Sequence, residues 1–416
     1  MTRPVRWNTL ARALKYKLGC GVTETAKDIG LMAGHPPATQ MRVTLENFLY
    51  PPFNRWALQH MRELVPTRPV SASENPILLN VAKRDLSDLS IDFPESGTKT
   101  LKSWLHDSYT DGYIVLHRGN IVFEHYANGQ SPATQHLMFS VTKSVTGTLA
   151  LMAIERGQLD EDRNVAFYVP ELAGSAFGDA GVSHLLDMTN SVKFDEVYAD
   201  ETSPIAQYLY AMLPGGAGIC GYLPSLTDRD SDYPHGSAFH YVTPKTDALA
   251  WCLRRATGCG LADLLGSWIW EPMGAEHEAH YWLDFQGTEF AGGGLSMTLR
   301  DAARFGRLIL HDGRVGDRQV IPASVARRIM TPRNQDLFAI RQDDPWYGNV
   351  GSGYHDQWWS YKGMAAVTGI GIHGQYLTVN ADADLVIVKQ SSRPEASNDR
   401  DDDPVLAMKA IAAALA

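Results

Sequence analysis

Ser140-Val141-Thr142-Lys143 sets a hydroxyl and an amine three residues apart, and on a helix that spacing puts both on one face. Such a pair can serve as nucleophile and base. A serine at the start of the helix gains twice. Its own backbone N–H has no intrahelical partner and can hold an oxyanion, and the helix dipole favours the developing negative charge. Burial in an apolar helix disfavours the ammonium, so the lysine pKa falls and the amine can take a proton. Ser96-Gly97-Thr98-Lys99 matches the same pattern, so context must separate the two. A hairpin leads toward Ser140: Tyr113–His117 and Ile121–Tyr126 are apolar and β-rich, joined around Arg118-Gly119-Asn120. The helix expected after Ser140, Val141–Glu155, is apolar nearly all round and reads as buried on every side. Ser96 follows no hairpin, and Lys102 puts charge in the helix after it (Leu101–His106), so Ser96 reads as an N-cap.

Positioning these groups requires elements from both ends of the chain. Gly157 stops the buried helix. From Leu159 to about Leu283 the pattern is mostly helical, with a loop rich in Gly, Asp and Pro from Leu213 to Ser237. An amphipathic helix (Leu299–Leu310) follows, then strands Tyr376–Val379 and Leu385–Lys389, then a helix opening at Asp403-Pro404. Strands early and late with helices between imply an α/β fold whose single sheet is assembled from both ends. The expected division is an N-terminal arm, 1–95, and a second domain, 96–416. Within the domain, a sheet lobe (96–158 and 284–416) carries a helical lobe (159–283).

Other chemistries are disfavoured. A net charge of −10 argues against a nucleic-acid partner, and no apolar run is long enough to span a membrane. Cys20, Cys220, Cys252 and Cys259 have no metal or pairing signature, so a reducing, cytoplasmic setting is expected. Arg3, Arg6, Arg12, Lys15 and Lys17, with Leu10, Leu14 and Leu18 on one face, have the look of a transit peptide. An amphipathic helix in the arm is the preferred reading. His277-Glu278-Ala279-His280 lacks the spacing of a zinc site, and no Gly-x-Ser-x-Gly elbow is present. Gly369 to Gly374 fits the dinucleotide pattern Gly-x-Gly-x-x-Gly, but β-rich Tyr376–Val379 follows where a helix is required. No cofactor or metal is expected. The expected partner is a small molecule open to attack by a serine, and a homodimer stays open.

The blocks Phe139–Gly147, Phe239–Trp251, Gly292–Leu310 and Thr368–Lys389 resemble the class C β-lactamase, penicillin-binding-protein and carboxylesterase superfamily. They resemble the 6-aminohexanoate-dimer hydrolases more closely. Asn54-Arg55-Trp56, Gln357-Trp358-Trp359 and Gly369–Gln375 extend the likeness over most of the chain. The resemblance implies a β-lactamase-like fold, with an antiparallel sheet flanked by helices, and a serine hydrolase. Tyr241, within Phe239-His240-Tyr241-Val242-Thr243, takes the place of a second general base, with Thr243 where Asn or Ser is common. Gly369-Ile370-Gly371 replaces Lys-Thr-Gly, removing the side chains that hold a β-lactam carboxylate and tilting the reading toward linear amides or esters. By the same resemblance, Ile372 N–H would join Ser140 N–H as the second oxyanion donor. Tyr198 matches a tyrosine that contacts the scissile amide, and Gly369, Gly371 and His373 are placed beside the substrate.

Overall fold

The computed structural model describes residues 24–198, 200–341, 351–398 and 400–416. The transit-peptide candidate and Cys20 lie outside these. Strand β1 (Thr67–Val70) comes first, followed by a small hairpin, β2 (Ser90–Phe93) with β3 (Gly97–Thr100). Ser96 sits in the turn of that hairpin. The side chain that caps the next helix, α1 (Leu101–Asp107), is Thr100, which accepts from Ser103 N–H. This corrects the reading of Ser96 as an N-cap. The cap sits one residue before the helix, and the Gly97 turn holds Ser96 too far upstream.

The expected hairpin forms as β4 (Thr110–His117) and β5 (Asn120–Tyr126). A short strand β6 (Gln135–Leu137) then delivers the chain to α2 (Val141–Glu155). The helical middle contributes α3 (Pro204–Ala211) and α4 (Thr243–Thr257), and α4 packs on α2. Then come β7 (Ala279–Trp282), β8 (Leu295–Thr298) and α5 (Leu299–Leu310). The late strands are β9 (Gly353–His355), β10 (Trp358–Ser360), β11 (Ala366–Gly371), β12 (Gln375–Asn380) and β13 (Leu385–Ser391), before α6 (Asp403–Leu415).

The main sheet runs β9-β10-β11-β12-β13-β4-β5 and is antiparallel throughout. It closes where β13 meets β4, with Leu385 opposite His117 and Lys389 opposite Tyr113, so chain ends far apart in sequence share its centre. Alternation along β13 sorts its two faces. Val386 and Val388 join Phe305 and Leu308 of α5 in one core, while Leu385 and Ile387 join Trp104 of α1 and Met408 and Ile411 of α6 in another. Helices on both sides make the sheet the middle layer of a sandwich, as its continuously buried strands require.

Helix α2 is buried from Val141 to Ala153. At Gly147 an added Cβ would lie 2.4 Å from Asp356 O and 2.7 Å from Gln357 Cβ. The helix therefore touches the β9–β10 turn only because that position is glycine, and a methyl there should cost about 1–3 kcal/mol.

The arm is woven into the body. β1 pairs with β7 in a second sheet, β1-β7-β8-β6. Asn54 Nδ2 donates to Ser392 O and Arg393 O at 3.1 and 2.9 Å, and Arg55 pairs with buried Asp111 at 2.9 Å. A boundary at 95 therefore marks no seam in the packing. Among the described residues no helix is long and apolar enough to cross a membrane.

Candidate active site

The nucleophile candidate lies where β6 gives way to α2. Phe139, just before it, has φ +44°, a left-handed conformation that costs a bulky residue about 1–3 kcal/mol and persists only where surroundings enforce it. Neighbouring bonds supply that enforcement. Met138 N–H donates to Leu295 O at 2.9 Å, Leu295 N–H donates to Thr142 Oγ1 at 3.0 Å, and the Phe139 ring packs 5.5 Å from His373. Ser140 makes no side-chain capping bond, so its hydroxyl does not serve merely to cap the helix. Its Oγ instead receives Lys143 Nζ at 2.7 Å.

The two other donors of the Lys143 ammonium go to Thr243 Oγ1 at 3.1 Å and Gly292 O at 2.6 Å. Burial pushes the amine down to about 8 against the pull of Glu196 and Asp247. A group poised there can alternate between proton acceptor and donor near neutral pH. Asp247 lies in the same buried cluster and is pushed upward by its own desolvation. Its Oδ1 accepts from Ala291 and Gly292 N–H at 2.9 and 3.2 Å, and its Oδ2 from Tyr208 OH at 2.8 Å. Asp247 thereby holds the backbone turn that presents Gly292 O to the lysine.

Tyr241 shares this cluster: Lys143 Nζ sits over its ring, 5.0 Å from the centroid. The ring stacks on Trp359 at 5.4 Å and meets Tyr354 edge-on at 5.8 Å. Its backbone is fixed from one side, since His240 N–H donates to Met188 O at 2.9 Å and buried Lys245 donates to His240 O at 2.7 Å. Thr243, at the start of α4, turns its hydroxyl to Lys143. Its N–H donates to Glu196, whose other oxygen accepts from Tyr198 OH at 2.9 Å. Burial and Glu196 push the Tyr198 phenol well above its usual range, so it remains a hydrogen-bond donor. Ser140, Lys143, Thr243, Glu196, Tyr198 and Tyr241 thus form one connected group.

Ser140 and Ile372, the expected oxyanion donors, line the same chamber together with Tyr198, Thr243, Trp282 and Gly292. A larger cavity of about 500 Å³ shares Tyr198, Trp282 and Ile372 with it and adds Glu201, Glu395 and His373. His373 is buried with Nδ1 2.7 Å from Arg393 O, and burial lowers its pKa to about 4, so it borders the cavity as a neutral imidazole. Gly369 and Gly371 also serve the packing. A Cβ at Gly369 would meet Ser144 Oγ at 2.8 Å, and one at Gly371 would meet Met138 O at 2.4 Å. The absence of side chains there lets β11 approach the segment that carries Ser140.

Gly374 follows β11 in a turn leading straight into β12, with no helix to carry a pyrophosphate. Among the described residues no three His, Cys, Asp or Glu side chains form a metal-holding group. The stretch 213–237, expected as a loop, contains a short helix, Gly218–Tyr222; Asp230, beyond it, is paired with Arg341 at 3.0 Å, and the acids that line the cavity are others. Glu196, Asp247 and Gly292 were not legible as site residues. Two signals existed: Asp247 lies one turn after Thr243 on the same helix face, and Glu196 lies two residues before Tyr198.

The β-lactamase family profile matches residues 110–411. The chain is 32% identical over 369 residues to a 6-aminohexanoate-dimer hydrolase from Paenarthrobacter ureafaciens, covering 87% of this chain and 91% of that one. A Bacillus anthracis protein described as a candidate 6-aminohexanoate-dimer hydrolase superposes with a TM-score of 0.76 at 28% identity, covering 92% of this chain and 99% of its own. The octameric penicillin-binding protein homologue from Pyrococcus abyssi shares the fold, with a TM-score of 0.53 at 16% identity over 76% of each chain.

Proposed function

The chain belongs to the β-lactamase family and is a hydrolase of amide or ester bonds; from that premise we propose that it cleaves linear amides through an acyl-enzyme on Ser140. The observation that carries this reading is the 2.7 Å contact between Ser140 Oγ and a buried Lys143 amine with its pKa lowered toward neutrality. In the proposed sequence, neutral Lys143 takes the Ser140 proton as Oγ bonds to the carbonyl carbon. Ser140 and Ile372 N–H hold the oxyanion. The proton then passes to the departing nitrogen as the C–N bond breaks, with Tyr241 beside Lys143 as the second acid–base group. Water releases the acyl group by the same route in reverse. Tyr198, held by Glu196, is assigned to the scissile amide.

Two features favour an amide with an amine end over a general ester. The relative with 32% identity is a 6-aminohexanoate-dimer hydrolase, and Glu201 and Glu395 border the larger cavity, where carboxylates suit an ammonium. The alternative is a carboxylesterase using the same serine. Ser140→Ala should abolish hydrolysis of both linear amide dimers and p-nitrophenyl esters while thermal unfolding stays cooperative, and Ser96→Ala should leave both rates near wild type. Activity of Ser140→Ala within tenfold of wild type sinks the assignment.

A further inference from the structure

We propose that the N-terminal segment Phe48–Tyr50 is a wall of the substrate pocket, and that Leu49 sets the length of aliphatic chain the enzyme accepts. This rests on the hydrolytic reading above. Leu49 lies in the arm, ninety-one residues before the nucleophile, yet it lines both the chamber that contains Ser140 and the 500 Å³ cavity next to it. Ile205 and Leu209, on one face of α3, border the same two spaces. Three branched aliphatic side chains from two distant segments therefore surround the passage from the serine into the larger cavity. That lining suits an unbranched alkyl chain.

The wall is fixed in place. Phe48 is 3% exposed and packs edge-on to Trp282 at 5.9 Å, and Trp282 packs edge-on to Phe290 at 5.5 Å. Tyr50 approaches Glu201, just before α3, with its hydroxyl 3.5 Å from Oε1, linking the arm to the helix across the cavity. Downstream, Asn54 N–H donates to Tyr50 O at 3.1 Å while the Asn54 side chain holds Ser392 O and Arg393 O beyond the end of β13. With both flanks pinned, the backbone at Leu49 is held in place beside the passage. A change in its volume therefore changes the room available.

The test compares wild type, Leu49→Trp and Leu49→Ala on two substrate series. One is p-nitrophenyl esters from acetate to octanoate. The other is alkyl acetates from ethyl to octyl, followed by acid release. In wild type, kcat/KM should rise about fourfold per methylene until the chain meets Leu49. Leu49→Trp should lower the octyl-to-ethyl ratio about tenfold or more, and Leu49→Ala should move the optimum to longer chains. The series in which the profiles move identifies which half of the substrate lies against Leu49. Leu49→Ala carries the test alone if the indole is not accommodated. Fluorophosphonate labelling of Ser140 is scored on the same proteins. Profiles of both variants that overlay wild type in both series, with labelling intact, overturn the role of Leu49 and leave the hydrolytic reading standing. Absence of labelling in active wild type overturns the assignment of the reaction to Ser140.

Discussion

Replacing Asp247 with asparagine should make the enzyme relatively faster at low pH, although the substitution removes a buried acid from the centre of the site. Asparagine can keep the geometry. Its oxygen can still accept from Ala291 and Gly292 N–H, and its amide can donate to Tyr208 once that hydroxyl turns to accept. What disappears is one of the two negative charges that steady the Lys143 ammonium, the other being Glu196. Gly292 bridges the two groups, its O accepting from Lys143 and its N–H donating to Asp247, and at roughly 6 Å and an effective dielectric constant of 20 the lost charge is worth about 3 kcal/mol as an upper bound. The Lys143 pKa should therefore fall by about one to two units. The sign follows from the proton balance: a lower pKa leaves more neutral amine below pH 8, and only the neutral amine accepts the serine proton. Wild-type reactivity should climb with pH through about 8 and then level off. In Asp247→Asn the climb should occur about one to two units lower, raising the ratio of the pH 7 rate to the pH 9 rate roughly five- to tenfold. The assay is the rate of fluorophosphonate inactivation across pH, which reads the serine alone. An unmoved limb, or one shifted to higher pH, refutes the electrostatic argument.

Two further outcomes can be measured. Tyr241→Phe should lower kcat by roughly 10²-fold or more with little change in thermal stability, as for a lost acid–base group; an unchanged kcat makes Tyr241 a packing partner of Trp359. Nitrocefin should be a poorer substrate than p-nitrophenyl butyrate, because Gly369-Ile370-Gly371 offers no side-chain donor for a carboxylate. A missing charge-assisted hydrogen bond of about 1.5–3 kcal/mol corresponds to a loss of roughly ten- to a hundredfold. Arg393 cannot readily substitute, since its guanidinium is tied to Asp401 at 2.6 Å and to Asn398 at 3.1 Å. A nitrocefin to butyrate ratio of kcat/KM above one contradicts this.

What could be read from sequence was mostly local. Ser140 and Lys143 meet because they are one turn apart on a helix whose apolar surface announces its burial, and both are visible in fifteen residues. The β4–β5 hairpin and the amphipathic α5 were legible for the same reason. That early and late strands share a sheet followed as an inference from strands at both ends of the chain, but neither the pairing of β13 with β4 nor the second, four-stranded sheet did. Tyr241 and Ile372 came from resemblance, since nothing local distinguishes them from core residues. Glu196 and Gly292 escaped because each acts through a contact across segments, and Asp247, although it shares a helix face with Thr243, meets Tyr208, Ala291 and Gly292 only in the fold. The packing of Gly369 and Gly371 against the Ser140 segment was not foreseen, because a strand's alternation says that two faces differ but not which element lies on each. The arm was cut off at 95 because β1 pairs with a strand more than two hundred residues away, beyond the reach of any local signal.

The central claim is that the reaction passes through an ester on Ser140. Enzyme mixed with p-nitrophenyl butyrate, quenched in acid within the first turnovers and digested for mass spectrometry tests it directly. A butyryl group on the peptide carrying Ser140, absent from the peptide carrying Ser96 and absent altogether in Ser140→Ala, is the predicted result. Full turnover with no adduct at Ser140, or an adduct on another residue, would contradict the account.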